Sequence, residues 1–323
     1  MPPLRAATRA SALARLQTDL VAALLGVEVE PVLVETTGDR RADVPIWEMG
    51  GQGVFVKEVQ AAVLDGRADL AVHSAKDLPS TETEGLVIAA VPEREDPRDV
   101  LVGSRLDDLP AGARIGTGSV RRRAQLAALR PDLTFGGLRG NIGTRLEKAV
   151  NFDAIVVAAA ALRRLGREDA IAQVLDPLLV VPQVAQGALA VECRADDEAT
   201  HAVVAAIEHE PSRRAVDAER AYLAELGGAC DLPAGALAVV SDDGGIELLA
   251  LLATLDGRVV LRHTDTGDDP VALGRAVARH LLDDAGGSAL LPVLLAPSAP
   301  RPGPQPRPPP ERGAPTPRRA VGA

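Results

Sequence analysis

The chain has 323 residues, a length that calls for two or three domains rather than one. With 46% hydrophobic and 25% charged residues it can bury sizeable cores, which excludes disorder throughout. A net charge of −10 and an aromatic content of 2% exclude a generic nucleic-acid binder, which needs a basic surface and stacking platforms.

In chain order, residues 4–25 start basic, but Arg9, Arg15, Gln17 and Asp19 interrupt any signal-peptide apolar core. No stretch approaches the roughly 20 apolar residues that span a bilayer. The expectation is therefore a cytoplasmic protein with no membrane partner. Strand-like runs follow at Val27–Glu35, Asp69–His73, Leu86–Val91, Ala113–Gly116, Leu133–Leu138 and Ala154–Ala159. Helical patterns lie between them at Ser11–Leu25, Val54–Leu64, Ser119–Leu129 and Asn141–Val150. This alternation predicts α/β layers with mainly parallel sheets. From Leu237 the pattern changes. Ile246–Leu255 and Arg258–Thr264 flank an Asp256-Gly257 turn, a hairpin signal, and a helix is predicted from Pro270 to Leu282, ended by Gly286-Gly287. A small α+β domain thus follows two α/β domains. The stretch from Pro297 to Ala323 holds ten of the 25 prolines and five arginines against one acid, and reads as a disordered tail. Removing its net +4 from −10 leaves the remainder near −14.

Lysine occurs only at 57, 76 and 148, so arginine supplies most of the positive charge. Arg121, Arg122 and Arg123 directly follow GTGS (116–119) at a predicted strand-to-helix turn, where backbone N–H groups and guanidinium forks suit anions. A second such turn is LRGNIGTRLEK (138–148), with Arg139 at a strand end and Arg145 one helical turn past Asn141. A single arginine here would more often pair with a surface acid; two equipped turns point to a ligand with several carboxylates or phosphates. GTGSVR is weak evidence for a dinucleotide site, because Arg121 stands where the third glycine belongs.

HSAKDLP (73–79) ends an apolar strand, the place where α/β sheets collect ligands. Asp77 is either an ion-pair partner of Lys76 or a carboxylate that steadies a cation and moves protons. His73 reads as structural. Cys230, in LGGACDLP (226–233), sits among glycines that let a ligand approach, whereas Cys193, in ALAVECR (188–194), reads as a buried small hydrophobe. If one thiol is chemical, it is Cys230. The five scattered histidines and two cysteines make no metal site.

Taken together, RAATRAS (5–11), HSAKDLP, EREDPRDVLV (93–102), GTGSVRRRAQL (116–126), LRPDLTFGGLRGNIGTRLEK (129–148), LRRLG (162–166), QGALAVECR (186–194) and GGACDLP resemble the porphobilinogen deaminase (hydroxymethylbilane synthase) family, from Leu4 to about Ala296. The resemblance implies two α/β domains like the halves of type II periplasmic binding proteins plus a small C-terminal α+β domain. Domain one would be 1–95 with 188–206, domain two 99–184, and domain three 210–296. It implies a transferase that condenses four porphobilinogens head to tail into hydroxymethylbilane, with release of ammonia. The implied cofactor is dipyrromethane, attached by thioether to the loop cysteine matched by Cys230. Asp77 matches the carboxylate that stabilises pyrrole cations. Arg9, Arg121, Arg122, Arg139, Arg145 and Arg164 match positions that bind acetate and propionate groups. Lys76 and Ser119 match cofactor-carboxylate positions. Ser11, Phe55, Thr117 and Gly140 complete the implied binding set, and Gln186 either reaches the cleft or serves as a hinge. The implied protein is a monomer with porphobilinogen as its small-molecule partner.

Four positions depart from the family pattern. Glu48 and Gln52 stand at positions that are basic in relatives, Gly118 replaces a usual serine, and Ala185 a usual glycine. The competing readings are a non-catalytic solute-binding protein for a polycarboxylate, which has no use for Cys230 and Asp77, and a nucleotide-dependent oxidoreductase using GTGSVR.

Overall fold

The computed structural model describes residues 2–40, 53, 55–228 and 232–291. Glu48, Gln52, Cys230 and the 297–323 tail lie outside them.

The strands β1 (Leu4–Arg9), β2 (Val29–Val34), β3 (Leu70–Ser74) and β4 (Leu86–Ala90) form a first sheet, with helices α1 (Ala12–Leu25), α2 (Thr37–Arg40) and α3 (Lys57–Leu64) in the connections. The chain then crosses into a second sheet. There β5 (Asp99–Val102), β6 (Arg114–Gly116), β7 (Thr134–Gly136), β8 (Ala154–Ala158) and β9 (Ile171–Val174) carry α4 (Val120–Leu129), α5 (Ile142–Glu147) and α6 (Ala159–Arg164). It returns as β10 (Leu189–Arg194), inserted between β3 and β4. The sheet orders are β2-β1-β3-β10-β4 and β7-β6-β8-β5-β9, one pattern used twice. In each sheet the strand that has just crossed over, β10 or β5, runs antiparallel to both neighbours. The sheets are therefore mixed rather than simply parallel. This is the arrangement of two type II periplasmic-binding-protein domains.

Local chemistry accounts for most elements. The β8 run AIVVA is buried throughout, as a central strand covered on both faces requires. Ser11 caps α1 by accepting from the Ala14 N–H, and Gly26 closes it in the left-handed region. β1, β5 and β9 are among the strands that escape the periodicity argument. β1 (LRAATR) is two thirds alanine and arginine, and is a strand because it is paired on both sides, by β2 and β3. β5 and β9 are four-residue segments stabilised by the sheet they join.

After α7 (Glu198–Val204), helix α8 (Glu210–Glu225) leads to a third, antiparallel sheet of β11 (Ala234–Val240), β12 (Ile246–Ala253) and β13 (Val260–Gly267). The hairpin expected at Asp256-Gly257 joins β12 to β13, with Ala253 opposite Val260. Helix α9 (Pro270–Arg279) starts at its proline but stops three residues short of the expected Leu282, passing into a π-helical turn over His280–Asp284. Helix α8 packs on β11 and α9, and its buried Tyr222 donates its hydroxyl to the Leu251 carbonyl at 2.8 Å.

The two crossings touch. Gly187 has φ +91°, and a Cβ there would lie 2.2 Å from the Glu95 carbonyl oxygen, so only glycine lets the segments pass. Glu219 of α8, wholly buried, ties both to the third sheet. Its carboxylate accepts from Arg94 Nη1 at 2.6 Å, from the Ala185 N–H at 2.6 Å and from the Ala238 N–H at 2.8 Å.

Candidate active site

The C-terminal ends of the parallel strands in the first two sheets face one another across a cavity of about 480 Å³. That is within the range of small-molecule sites, about 300–1,000 Å³. From the first sheet come Arg9 at the end of β1, Ser11 at the cap of α1, and Lys76 and Asp77 on the single 3₁₀ turn after β3. From the second come Ser119, Arg121 and Arg122 after β6, Arg139, Gly140 and Arg145 after β7, and Arg164 on α6. Phe55 lines the same cavity, with the Arg9 guanidinium 4.3 Å from its ring centre.

Both arginine-bearing turns are built as the sequence suggests. Ser119 caps α4 by accepting from the Arg122 N–H, and Asn141 caps α5 by accepting from the Thr144 N–H. Arg145 Nε donates to the Gly140 carbonyl at 2.8 Å, which aims the side chain back across its own turn. Arg164 donates to the Gly187 carbonyl at 2.7 Å, joining α6 to the crossing. Gly118 packs so closely that a Cβ would stand 2.9 Å from the Leu138 carbonyl oxygen. A side chain at this position would force the turn to shift, so glycine is what the local packing accepts.

Two expected site residues stand behind the cavity wall. Thr117 is buried and its hydroxyl accepts from the Ser119 N–H at 3.1 Å, shaping the turn. Gln186 is fully buried and bridges the elements around it. Two acids that sequence reasoning passed over are central. Asp99, the first residue of β5, is fully buried between Arg121 and Arg122. Asp39 accepts from Arg9 Nε at 3.1 Å. The signal for Asp99 was a carboxylate opening the wholly apolar run VLV, a placement that demands a cationic partner once buried.

Electrostatics set the character of the cavity. Burial disfavours the Lys76 ammonium most, Asp77 partly restores it, and the result is a pKa brought down to about 8. Burial, with Arg122 nearby, brings Arg145 down to about 10. Burial likewise lowers Arg164 and Arg121. Burial opposes ionisation of Asp99, yet the guanidiniums of Arg121 and Arg122 hold its carboxyl well below the usual range. Asp39 is held low despite burial by its bonds from Arg9 and Thr36. Among the described residues, cations outnumber carboxylates around the cavity, and the Arg121 Nε–H has no hydrogen-bond partner. Such a surplus fits a ligand that brings several carboxylates.

Cys193 lies buried in β10, and burial pushes its thiol up to about 11, matching the inert role expected of it. His73 is buried 3.0 Å from Glu192, a structural placement. Among the described residues no group of His, Cys, Asp and Glu could hold a metal, and no helix is long and apolar enough to cross a membrane.

A two-lobed α/β cleft, bridged by two crossings and lined by half-buried cations around one acidic turn, has the form and charge of a site for small anionic ligands. Residues 4–202 match the family model of the porphobilinogen deaminase dipyrromethane-cofactor-binding domain, and 214–283 that of the porphobilinogen deaminase C-terminal domain. The chain is 46% identical to a porphobilinogen deaminase of Brevibacillus brevis over 297 residues, which covers 89% of this chain and 96% of the relative. It is 48% identical to that of Acidothermus cellulolyticus over 302 residues, covering 89% and 91%. With that of Bacillus subtilis it shares 42% over 303 residues, covering 90% and 96%. A solved Salmonella typhimurium periplasmic binding protein aligns at 12% identity and a TM-score of 0.37, over 66% of this chain and 94% of its own, a likeness that carries no argument beside the strand order. The chain belongs to the porphobilinogen deaminase family, transferases of tetrapyrrole biosynthesis that bind a dipyrromethane cofactor. Relatives named as enzymes over nearly their whole length weigh against the solute-binding alternative.

Proposed function

We propose that this cleft condenses four porphobilinogens head to tail into hydroxymethylbilane, with the dipyrromethane held by thioether at Cys230. One observation carries the reading: among the described residues, Asp77 and a surplus of half-buried cations line one cavity, whose wall also includes Leu232 and Ala234, just beyond Cys230 in the chain. The donor set fits the cofactor, since each of its rings carries an acetate and a propionate. When bound, the cofactor supplies the nucleophilic pyrrole carbon to which the first substrate is joined.

The chain's own residues do the rest. Arg9, Arg122, Arg139, Arg145 and Arg164 pair with substrate and product carboxylates, while Lys76 and the capped turn at Ser119 take those of the cofactor. Arg121, Thr117, Gln186 and the Gly140 turn fix this array; Ser11 and Phe55 close its edge at Arg9. At each coupling a C–N bond breaks, ammonia leaves, a C–C bond forms and one ring proton is lost. Asp77 Oδ steadies the positive pyrrole N–H and passes the proton on. Water completes the released product as its hydroxymethyl group.

This reading divides the chain as the motifs do, into 1–95 with 188–206, 99–184 and 210–296, followed by the 297–323 tail. It makes the protein a cytoplasmic monomer with no nucleic-acid partner. Mass spectrometry of the full chain, produced in a host that makes porphobilinogen, tests it. The expected mass exceeds the polypeptide by two pyrrole units, and Cys230→Ala loses the excess. A bare polypeptide mass with no bilane formed would sink the proposal.

A further inference from the structure

Behind the cleft runs a buried hydrogen-bonded relay that nothing in the motif pattern announces. Asp99 Oδ1 accepts from Arg122 Nε at 3.0 Å, Arg122 Nη2 at 2.7 Å and Gln186 Nε2 at 2.8 Å, while Oδ2 accepts from Arg121 Nη2 at 2.8 Å. Gln186 Nε2 also donates to the Pro97 carbonyl at 2.8 Å. Its Oε1 accepts from Lys76 Nζ and from Arg122 Nη2, each at 3.3 Å. The amide therefore has both ends in use, one toward each lobe. Lys76 belongs to the first lobe, Arg121 and Arg122 to the second, and Asp99 and Gln186 to the two crossings between them.

We propose that Asp99 is a positioning residue of the cleft, the single anion that holds the Arg122 fork and, through Gln186, keeps the Lys76 ammonium charged and aimed at ligand carboxylates. Asp99 lines no part of the cavity itself, so it acts through these cations rather than on substrate. The inference rests on the proposed function for the identity of the ligand, but not for the relay.

The charged groups facing Lys76 are Asp77 on its own turn, Arg122 of α4, Asp99 of β5 and Arg145 of α5. Two carboxylates support its charge and two guanidiniums oppose it. Burial has already brought Lys76 down to about 8 in the ligand-free chain, and the cofactor carboxylates of the holoenzyme raise it from there in wild type and variants alike. Removing the Asp99 charge leaves Asp77 alone against both guanidiniums, and the ammonium must lose its proton at a lower pH.

The chain has three lysines, so the full-length holoenzyme labelled with carbon-13 at lysine Cε shows three titrating signals. Lys76→Arg, which deletes one, identifies Lys76. In Asp99→Asn the Lys76 midpoint should fall by at least about half a pH unit. KM for porphobilinogen at pH 7.5 should rise about tenfold, with a smaller change in kcat. Gln186→Met breaks the relay with Asp99 in place and should move the midpoint the same way by less; it gives the reading if Asp99→Asn does not fold. A Lys76 midpoint unchanged in whichever of these variants folds would overturn the proposal, even if stability falls. Wild-type enzyme without adduct or bilane would instead overturn the proposed function and leave the relay measurement standing.

Discussion

The two lobes share one strand order but present opposite chemistry at their strand ends. Among the described residues of the first, Arg9 faces Asp39 and Lys76 adjoins Asp77, so charges at the cavity nearly balance. In the second, Arg121, Arg122, Arg139, Arg145 and Arg164 reach the cavity, and Asp99 is the buried carboxylate between the first two. Identical topology thus supports proton handling on one wall and carboxylate grip on the other, because function resides in the residues placed at strand ends rather than in the sheet.

The sharpest way to break this contrast is Asp77→Ala. It should leave cofactor attachment intact and lower kcat by about a thousandfold or more, near the upper range for lost acid–base and electrostatic terms. Near-normal turnover by a holoenzyme of correct mass would show that the first lobe's acid is only an ion-pair partner.

On the opposite wall, Arg145→Leu should raise KM by about ten- to a hundredfold, as expected for a lost charge-assisted carboxylate contact. The melting temperature should hold or rise, since a buried cation with a lowered pKa is costly to the fold. A large loss of stability with unchanged KM would make this arginine structural and the wall less specialised than argued.

The smallest effect is expected between the lobes. Ala185 has φ +58° in the crossing, a region that costs a side chain about 1 kcal/mol. Ala185→Gly should therefore stabilise the protein, by less than about 1 kcal/mol once the freer unfolded chain is counted. Denaturant unfolding checks this; a destabilised variant would mean that the methyl packing at this fully buried position outweighs the backbone strain.

Much of the site was legible because its motifs are local. Ser119 and Arg122, or Asn141 and Arg145, lie within one helical turn, so spacing alone places cap and guanidinium together. The relay was not, since Lys76, Asp99, Arg122 and Gln186 are scattered over 110 positions and meet only when both crossings close. Arg121 shows the same limit: as a motif residue it reads as a ligand clamp, whereas in the fold two of its nitrogens serve Asp99 and the Val181 carbonyl. The strands β1, β5 and β9 were invisible for a related reason, being too short or too weakly patterned to stand without their neighbours.

By itself, the order of residues determined the α/β alternation, the arginine-bearing turns at helix starts, the Lys-Asp pair at a strand end and the appended hairpin, because each follows from periodicity and short-range hydrogen bonding. Tertiary structure alone decided which cations face the cavity, which are spent on Asp99, and how Glu219 clamps both crossings to the third sheet. The reason is physical: burial sets the energy of a charge, and burial is known only when segments distant in sequence have packed together.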